Sequence, residues 1–152
     1  IKKFSLTNKS SILDIGCGKG FLLYEIKKIL NGINVEGIDI STYSIKKSKN
    51  EIKKYLKVSD ATKFIFRKKY DLILSINTLH NLEIDQLSKV ITKIKKNSKN
   101  SYIVVEGYRN INELFNLQCW ALTANTFFSK TEWIWFLKRL KYKGHLEIIY
   151  FE

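Results

Sequence analysis

The sequence predicts an α/β fold, a three-layer αβα sandwich on an open, mostly parallel, twisted sheet of about six strands. Two observations predict it. Short apolar runs alternate with amphipathic stretches at helical spacing from Ser10 to Asn97. The later runs are apolar through their middles, as strands buried on both faces are. An alternation of this kind closes through right-handed crossovers into a sheet with helices on both sides.

The elements follow in order. "SSILDIGC" (10–17) is a short apolar strand opened by serines. "FLLYEIKKIL" (21–30) repeats apolar residues at Phe21, Leu22, Ile26, Ile29 and Leu30, the stripe of a helix packed on a sheet, and Asn31 and Gly32 end it. "NVEGIDIS" (34–41) reads as the second strand, "TYSIKKSKNEIKKYL" (42–56) as one helix, and "LKVSDATKF" (56–64) as a short strand running into a loop. "KYDLILSIN" (69–77) is the next strand, "IDQLSKVITKIKKN" (84–97) an amphipathic helix and "SYIVVEGYR" (101–109) a buried strand. "NINELFNLQCWALTANTFF" (110–128) reads as helical and aromatic. Ser129 and Glu132 form the S-x-x-E capping box of a helix through "TEWIWFLKRLKY" (131–142), whose Trp133, Phe136, Leu137 and Leu140 are core. Gly144 stops that helix and "HLEIIYFE" (145–152) is the last strand, begun by a structural His145.

Composition narrows the function classes. A chain of 152 residues, 45% hydrophobic, is long enough for one domain over 1–152 with a real core. The first residue is Ile1, so the reading expects that residues ahead of it are missing. Lys plus Arg number 27 against 14 Asp plus Glu, a formal charge of +13. Such a charge fits a polyanionic partner. The basic residues are nearly all lysine, however, with arginine only at 67, 109 and 139, and there is no proline. That profile is what an AT-rich genome produces through codon usage, so nucleic acid is not favoured as a partner. Cys17 and Cys119 form no CxxC pair and have no histidine at ligand spacing, so neither a disulfide framework nor a metal site is expected, and a cytoplasmic location fits. No apolar run reaches the roughly 18 residues of a membrane span, and no membrane partner is expected.

The stretch "ILDIGCGKG" (12–20) concentrates Gly16, Gly18 and Gly20, three of the seven glycines, at the carboxyl end of the first strand. A loop turning at once into a helix needs residues that tolerate positive φ, and a ligand resting on it needs backbone without Cβ atoms. In an open parallel sheet ligands bind beyond the carboxyl ends of the strands where strand order reverses. The dinucleotide fingerprint G-x-G-x-x-G fails, because Phe21 stands where its third glycine would fall. A Walker loop fails too, because Gly20 follows Lys19. What remains is D-x-G-x-G-x-G from Asp14.

This pattern resembles the first motif of the class I, Rossmann-like S-adenosylmethionine-dependent methyltransferases. Three further stretches are similar to that family in the same order: "VEGIDIS", "VSDAT" and "YDLILSINTLHNL". The resemblance implies S-adenosyl-L-methionine as cofactor, with S-adenosyl-L-homocysteine as product. It implies a cofactor site of Asp14, Gly16, Cys17, Gly18, Gly20, Asp39, Ile40, Asp60, Ala61 and Asn77. In it Asp39 binds the ribose hydroxyls, Asp60 and Ala61 meet the adenine, and Asn77 lies near the methyl group. Asp39 follows Gly18 by 21 residues, the length of one βαβ turn. A carboxylate at a strand end can accept from both hydroxyls of a diol.

Methyl transfer needs alignment in a water-poor cavity, and a base only where the acceptor arrives protonated. His80, just past the fourth strand, is the candidate base. Acceptor contacts are expected from Glu106, Tyr108, Arg109 and Trp120, with Phe115 beside them; the two aromatics Phe115 and Trp120 read more readily as core. The Pro-containing motifs of the DNA amino- and cytosine-5-methyltransferases are absent. The expected activity is methyl transfer to an O or N atom of a small polar metabolite or sugar-like intermediate. An RNA methyltransferase using the lysines, or a catalytically silent module that binds the cofactor, are the alternatives, and a homodimer is left open. Cover for the acceptor is expected from residues 110–130, from residues ahead of Ile1 or from a partner chain.

Overall fold

The computed structural model describes residues 1–151, in which six strands form one sheet with every pairing parallel. The strands are β1 (Ser11–Ile15), β2 (Asn34–Asp39), β3 (Leu56–Val58), β4 (Tyr70–Ile76), β5 (Ser98–Glu106) and β6 (His145–Ile149). The helices are α1 (Phe21–Ile29), α2 (Thr42–Lys46), α3 (Asn50–Lys53), α4 (Ile84–Asn97), α5 (Ile111–Trp120) and α6 (Lys130–Arg139). The expected last strand ran to Glu152, which lies outside the described residues.

Spatial order is β3-β2-β1-β4-β5-β6. The chain therefore starts in the middle of the sheet, steps out to one edge, crosses back over and steps out to the other. The reversal falls between β1 and β4, and it is there that a parallel sheet leaves a crevice at its carboxyl edge. This is the open parallel sheet with helices on both faces that the sequence predicts.

Two apolar layers hold the sheet. On one side Leu13, Ile73, Ile103 and Val105 pack with Leu87, Val90, Ile91 and Ile94 of α4 and with Trp133, Phe136 and Leu137 of α6. Trp133 is fully buried and donates its Nε1–H to the carbonyl of Glu106 at 3.0 Å, so a large apolar side chain is buried without leaving its polar atom unpaired. On the other side Ile12, Val35, Leu72 and Leu74 pack with Leu23, Ile26, Ile45 and Ile52.

Three local expectations are corrected. The face of α1 that meets the sheet carries Leu23 and Ile26, whereas Phe21, Leu22 and Ile29 are exposed. The segment 42–56 is not one helix. Ser48 turns its hydroxyl back to the carbonyl of Ile45 at 2.7 Å and Lys49 is extended at ψ 144, so α2 and α3 are separate turns. The aromatic helix α5 stops at Trp120, and 121–129 continues without helix. The capping box of α6 forms as expected, with Ser129 Oγ accepting from the N–H of Glu132 and the Glu132 carboxylate accepting from the N–H of Ser129.

Candidate active site

The loop after β1 is built from backbone. Gly16, Gly18 and Gly20 all take positive φ, at 78°, 54° and 73°. A Cβ on Gly16 would stand 2.0 Å from Thr78 Oγ1, so this loop and the one after β4 interlock at that point. At Gly18 nothing lies within 4 Å of such a Cβ, and its surface is bare. The N–H groups of Gly16 and Cys17 donate to the carbonyl of Ile38 at 2.8 and 3.0 Å, which fastens the loop to β2.

Asp39 ends β2 beside it. Its Oδ2 accepts from the N–H of Gly18 at 2.7 Å and its Oδ1 from the N–H of Ser41 at 2.8 Å. Each carboxylate oxygen has a second lone pair, so the group ties the loop and can still receive hydroxyl donors.

A cavity of about 360 Å³ opens at the carboxyl edge of the strands. Its walls come from four strand ends: Gly16 after β1, Asp39 and Ile40 after β2, Ser59, Asp60 and Ala61 after β3, and Asn77 and Thr78 after β4. Ile40 is 73% exposed, an apolar side chain standing free at the rim. Asn77 takes φ 50°, a left-handed conformation that asparagine tolerates well among non-glycine residues. The Asp60 carboxylate accepts from the N–H and hydroxyl of Thr62 at 2.8 and 2.7 Å, and these bonds hold its pKa below the usual carboxylate range. Thr78, Asn81 and Leu82 also line the cavity and were not singled out from the sequence; they flank Asn77 within the same motif. A second cavity of about 370 Å³ lies at the amino ends of the strands among Lys3, Lys95, Lys99 and Lys143, away from the glycine loop.

Other expected site residues stand elsewhere. Asp14 is buried behind the loop, and burial, with the charge of Asp39, pushes its pKa up to about 7. The half-buried Cys17 turns its Sγ toward Gly37, where an added Cβ would meet it at 2.8 Å, so only its backbone serves the loop. Its thiol pKa is raised, by burial and then by Asp14 and Asp39. The Arg109 guanidinium is held by Glu113, with Nε 2.9 Å from Oε1, and lies 4.3 Å over the Tyr150 ring. Tyr108 reaches Glu132 at 3.4 Å. Trp120 is 68% exposed and tilts against Phe151, and Phe115 is exposed too; neither is core, because α5 turns them outward. None of Tyr108, Arg109 and Trp120 lines the cavity.

Glu106, expected to grip an acceptor, instead faces His80. The two side chains are 8% and 6% exposed, with Glu106 Oε2 3.5 Å from His80 Nε2. Burial raises the pKa of Glu106 and lowers that of His80 to about 4, so the ring is neutral at pH 7. Residues 123–126 cross above the His80 turn. Asn125 and Thr126 donate their N–H groups to the carbonyl of His80, and the Asn125 amide and Thr126 hydroxyl donate to the carbonyls of Asn81 and Leu82. Residues 123–126 thus cover the His80 turn, and none of them is among the residues lining the cavity.

Residues 6–145 match the family model described as a methyltransferase domain. The chain belongs to the methyltransferase-domain family. Solved structures of methyltransferases share its fold. A putative methyltransferase bound to the Trm112 methyltransferase activator of Haloferax volcanii superposes with a TM-score of 0.72 at 16% identity, over 90% of this chain and 62% of that one. The plantazolicin methyltransferase BpumL, in complex with a desmethyl analogue and S-adenosylhomocysteine, gives 0.68 at 23% identity over 87% and 55%. The O-methyltransferase of a Brevibacillus brevis trans-AT polyketide multienzyme, with S-adenosylhomocysteine, gives 0.67 at 16% over 86% and 46%. The methyltransferase domain described here thus spans roughly half to three fifths of those relatives' length. A search of curated proteins returns no match. No helix among the described residues is long and apolar enough to cross a membrane.

Proposed function

We propose that the cavity at the carboxyl edge binds S-adenosylmethionine and that the chain transfers its methyl group to an oxygen or nitrogen atom of a small polar metabolite or sugar-like acceptor. The observation that carries this reading is the meeting of Asp39 with the bare Gly18 backbone at the mouth of a cavity walled by four strand ends. The residues fit the ligand. Asp39 has spare lone pairs for a ribose diol. Ile40 offers an apolar surface and Asp60 an acceptor to a base, and the bare backbone at Gly18, beside Asp39, allows close approach. Bound there, the cofactor supplies a methyl group on a sulfonium whose sulfur keeps the bonding pair and leaves as a neutral thioether.

The protein's own part is to exclude water, align the acceptor beside Asn77 and Thr78, and take a proton. His80, neutral at pH 7 and one turn beyond those residues, is the group that takes it. The two relatives bound to S-adenosylhomocysteine support the choice of ligand. Both cysteines are free thiols, which agrees with a reducing cytoplasm, and we read residues 1–152 as one domain acting there.

Calorimetry with S-adenosylhomocysteine, NAD and ATP side by side tests the reading. Binding of the first alone is expected, and preference for either nucleotide would remove it. Turnover of S-adenosylmethionine in a screen of hydroxyl and amine metabolites then separates an enzyme from a silent binding module.

A further inference from the structure

The cavity at the amino ends of the strands has no part in methyl transfer, and its make-up differs from that of a solvated lysine face. Lys3 comes from the N-terminal turn, Lys99 from the start of β5 and Lys143 from the turn before β6. These segments, far apart in sequence, meet around one space of about 370 Å³, and no carboxylate among the described residues lines it. Codon usage accounts for the number of lysines but not for their convergence. Lys95, also on the wall, is explained otherwise, because it donates to the carbonyl of Leu140 at 2.8 Å and so caps α6. Lys99 pairs with Asp71 at 2.6 Å, and Lys3 Nζ lies 2.6 Å from His145 Nε2, which brings no negative charge. Asp71 thus offsets one ammonium and leaves the others to repel each other, a cost that an anion between them removes.

The floor of the cavity carries hydroxyls. The left-handed residue that follows α6 is Lys141, at φ 52°, whereas Gly144 takes no positive φ, so the turn itself does not call for a glycine there. What Gly144 provides is room: an added Cβ would stand 2.1 Å from both Ser101 Oγ and Tyr142 Oη. The two hydroxyls therefore lie side by side against bare backbone. Ser101 is 5% exposed, and Tyr142 Oη is sealed from solvent with no partner in hydrogen-bonding geometry among the described residues. A buried hydroxyl left in that state destabilises the fold. An anion in the cavity resolves it, because hydroxyl hydrogens rotate: Ser101 donates to the anion, and its Oγ then accepts from Tyr142.

We infer that this cavity is a second ligand site, built for the phosphate group of a small phosphomonoester, with Lys3, Lys99 and Lys143 supplying charge and Ser101 the directed donor. A phosphate ester carries about two negative charges at pH 7 and takes several donors at once, where a carboxylate carries one charge. The cavity has the volume of a small-molecule site. Phe4 and the ring of His145, stacked on Tyr102, form the wall for the organic part. The site lies at the opposite edge of the sheet from the glycine loop, so it stands or falls independently of methyl transfer.

Calorimetry at low ionic strength with inorganic phosphate, glycerol 3-phosphate and a short oligoribonucleotide tests the site without the methyl donor. Glycerol 3-phosphate should bind, and inorganic phosphate more weakly. Ser101→Ala should weaken the ester by about tenfold, the loss of one hydrogen bond to a charged group. Lys143→Gln should weaken it by about threefold. Lys130→Gln removes the same charge at the far end of α6 and should leave the affinity unchanged. Absence of binding by the ester overturns the inference, and so does tighter binding of inorganic phosphate or unchanged affinity in Ser101→Ala. Binding of the oligoribonucleotide alone would make the lysines a polyanion face instead. A Lys130→Gln that loses as much as Lys143→Gln would reduce the effect to overall charge and overturn the site. If Ser101→Ala does not fold, the comparison of Lys143→Gln with Lys130→Gln decides.

Discussion

The carboxylate of Asp39 accepts the backbone N–H of Gly18 at 2.7 Å across 21 residues of chain. One side chain therefore orders the glycine loop and stands ready at the cavity mouth. Asp39→Ala should weaken S-adenosylhomocysteine binding by about 1 to 3 kcal/mol, or roughly 5- to 150-fold. Calorimetry checks it, and unchanged affinity would mean that the acid serves the loop alone.

Gly16 and Gly18 should respond differently to the same substitution. Gly16→Ala drives a Cβ into Thr78 at positive φ and should lower stability by about 2 to 5 kcal/mol. Gly18→Ala meets no atom and should cost about 1 to 2 kcal/mol of strain, yet lose most of its affinity for S-adenosylhomocysteine. Denaturant unfolding beside calorimetry separates the two. Equal behaviour would show that Gly18 is a turn residue only.

Asp14 makes stability depend on pH. Its ordinary value is 3.8 and its folded value about 7, so the folded state holds the proton over a range where the unfolded state has lost it. Its contribution to stability is therefore greatest below about pH 4, falls as pH rises to about 7, and is level above that. Asp14→Asn lacks this dependence. In urea melts the variant should gain on the wild type between pH 4 and 7, by a few kcal/mol at most. A constant difference across that range would rule the assignment out.

Two aromatics test where the core ends. Trp133→Ala should destabilise by about 3 to 5 kcal/mol, since a fully buried indole and its hydrogen bond are lost. Phe115→Ser should stay within about 0.5 kcal/mol, because its ring is exposed. Thermal unfolding of the two variants decides it.

The order of strands and helices was readable because the apolar residues of α4 and α6 recur at a period near 3.6 and those of β4 and β5 run together through the middle of the strand. The faces were less readable. Phe21 and Leu22 share a stripe with Ile26, yet the loop before α1 sets the rotation of the helix, so Leu23 points inward. Phe115 and Trp120 look like core on hydrophobicity alone, and only the direction in which α5 leaves the sheet decides otherwise. The Asp39 and Gly18 pairing could be expected from one βαβ spacing. The meeting of His80 with Glu106, and its cover by Asn125 and Thr126, depends on which strands are neighbours, and no local pattern encodes that.

The contrast between the two thiols has a practical use. Cys17 is half shielded in a negative field that disfavours its reactive anion, whereas Cys119 sits on an exposed helix outside the cavity. A maleimide dye should therefore attach at one position without mutagenesis, giving a fluorescent label on α5 that leaves the glycine loop untouched.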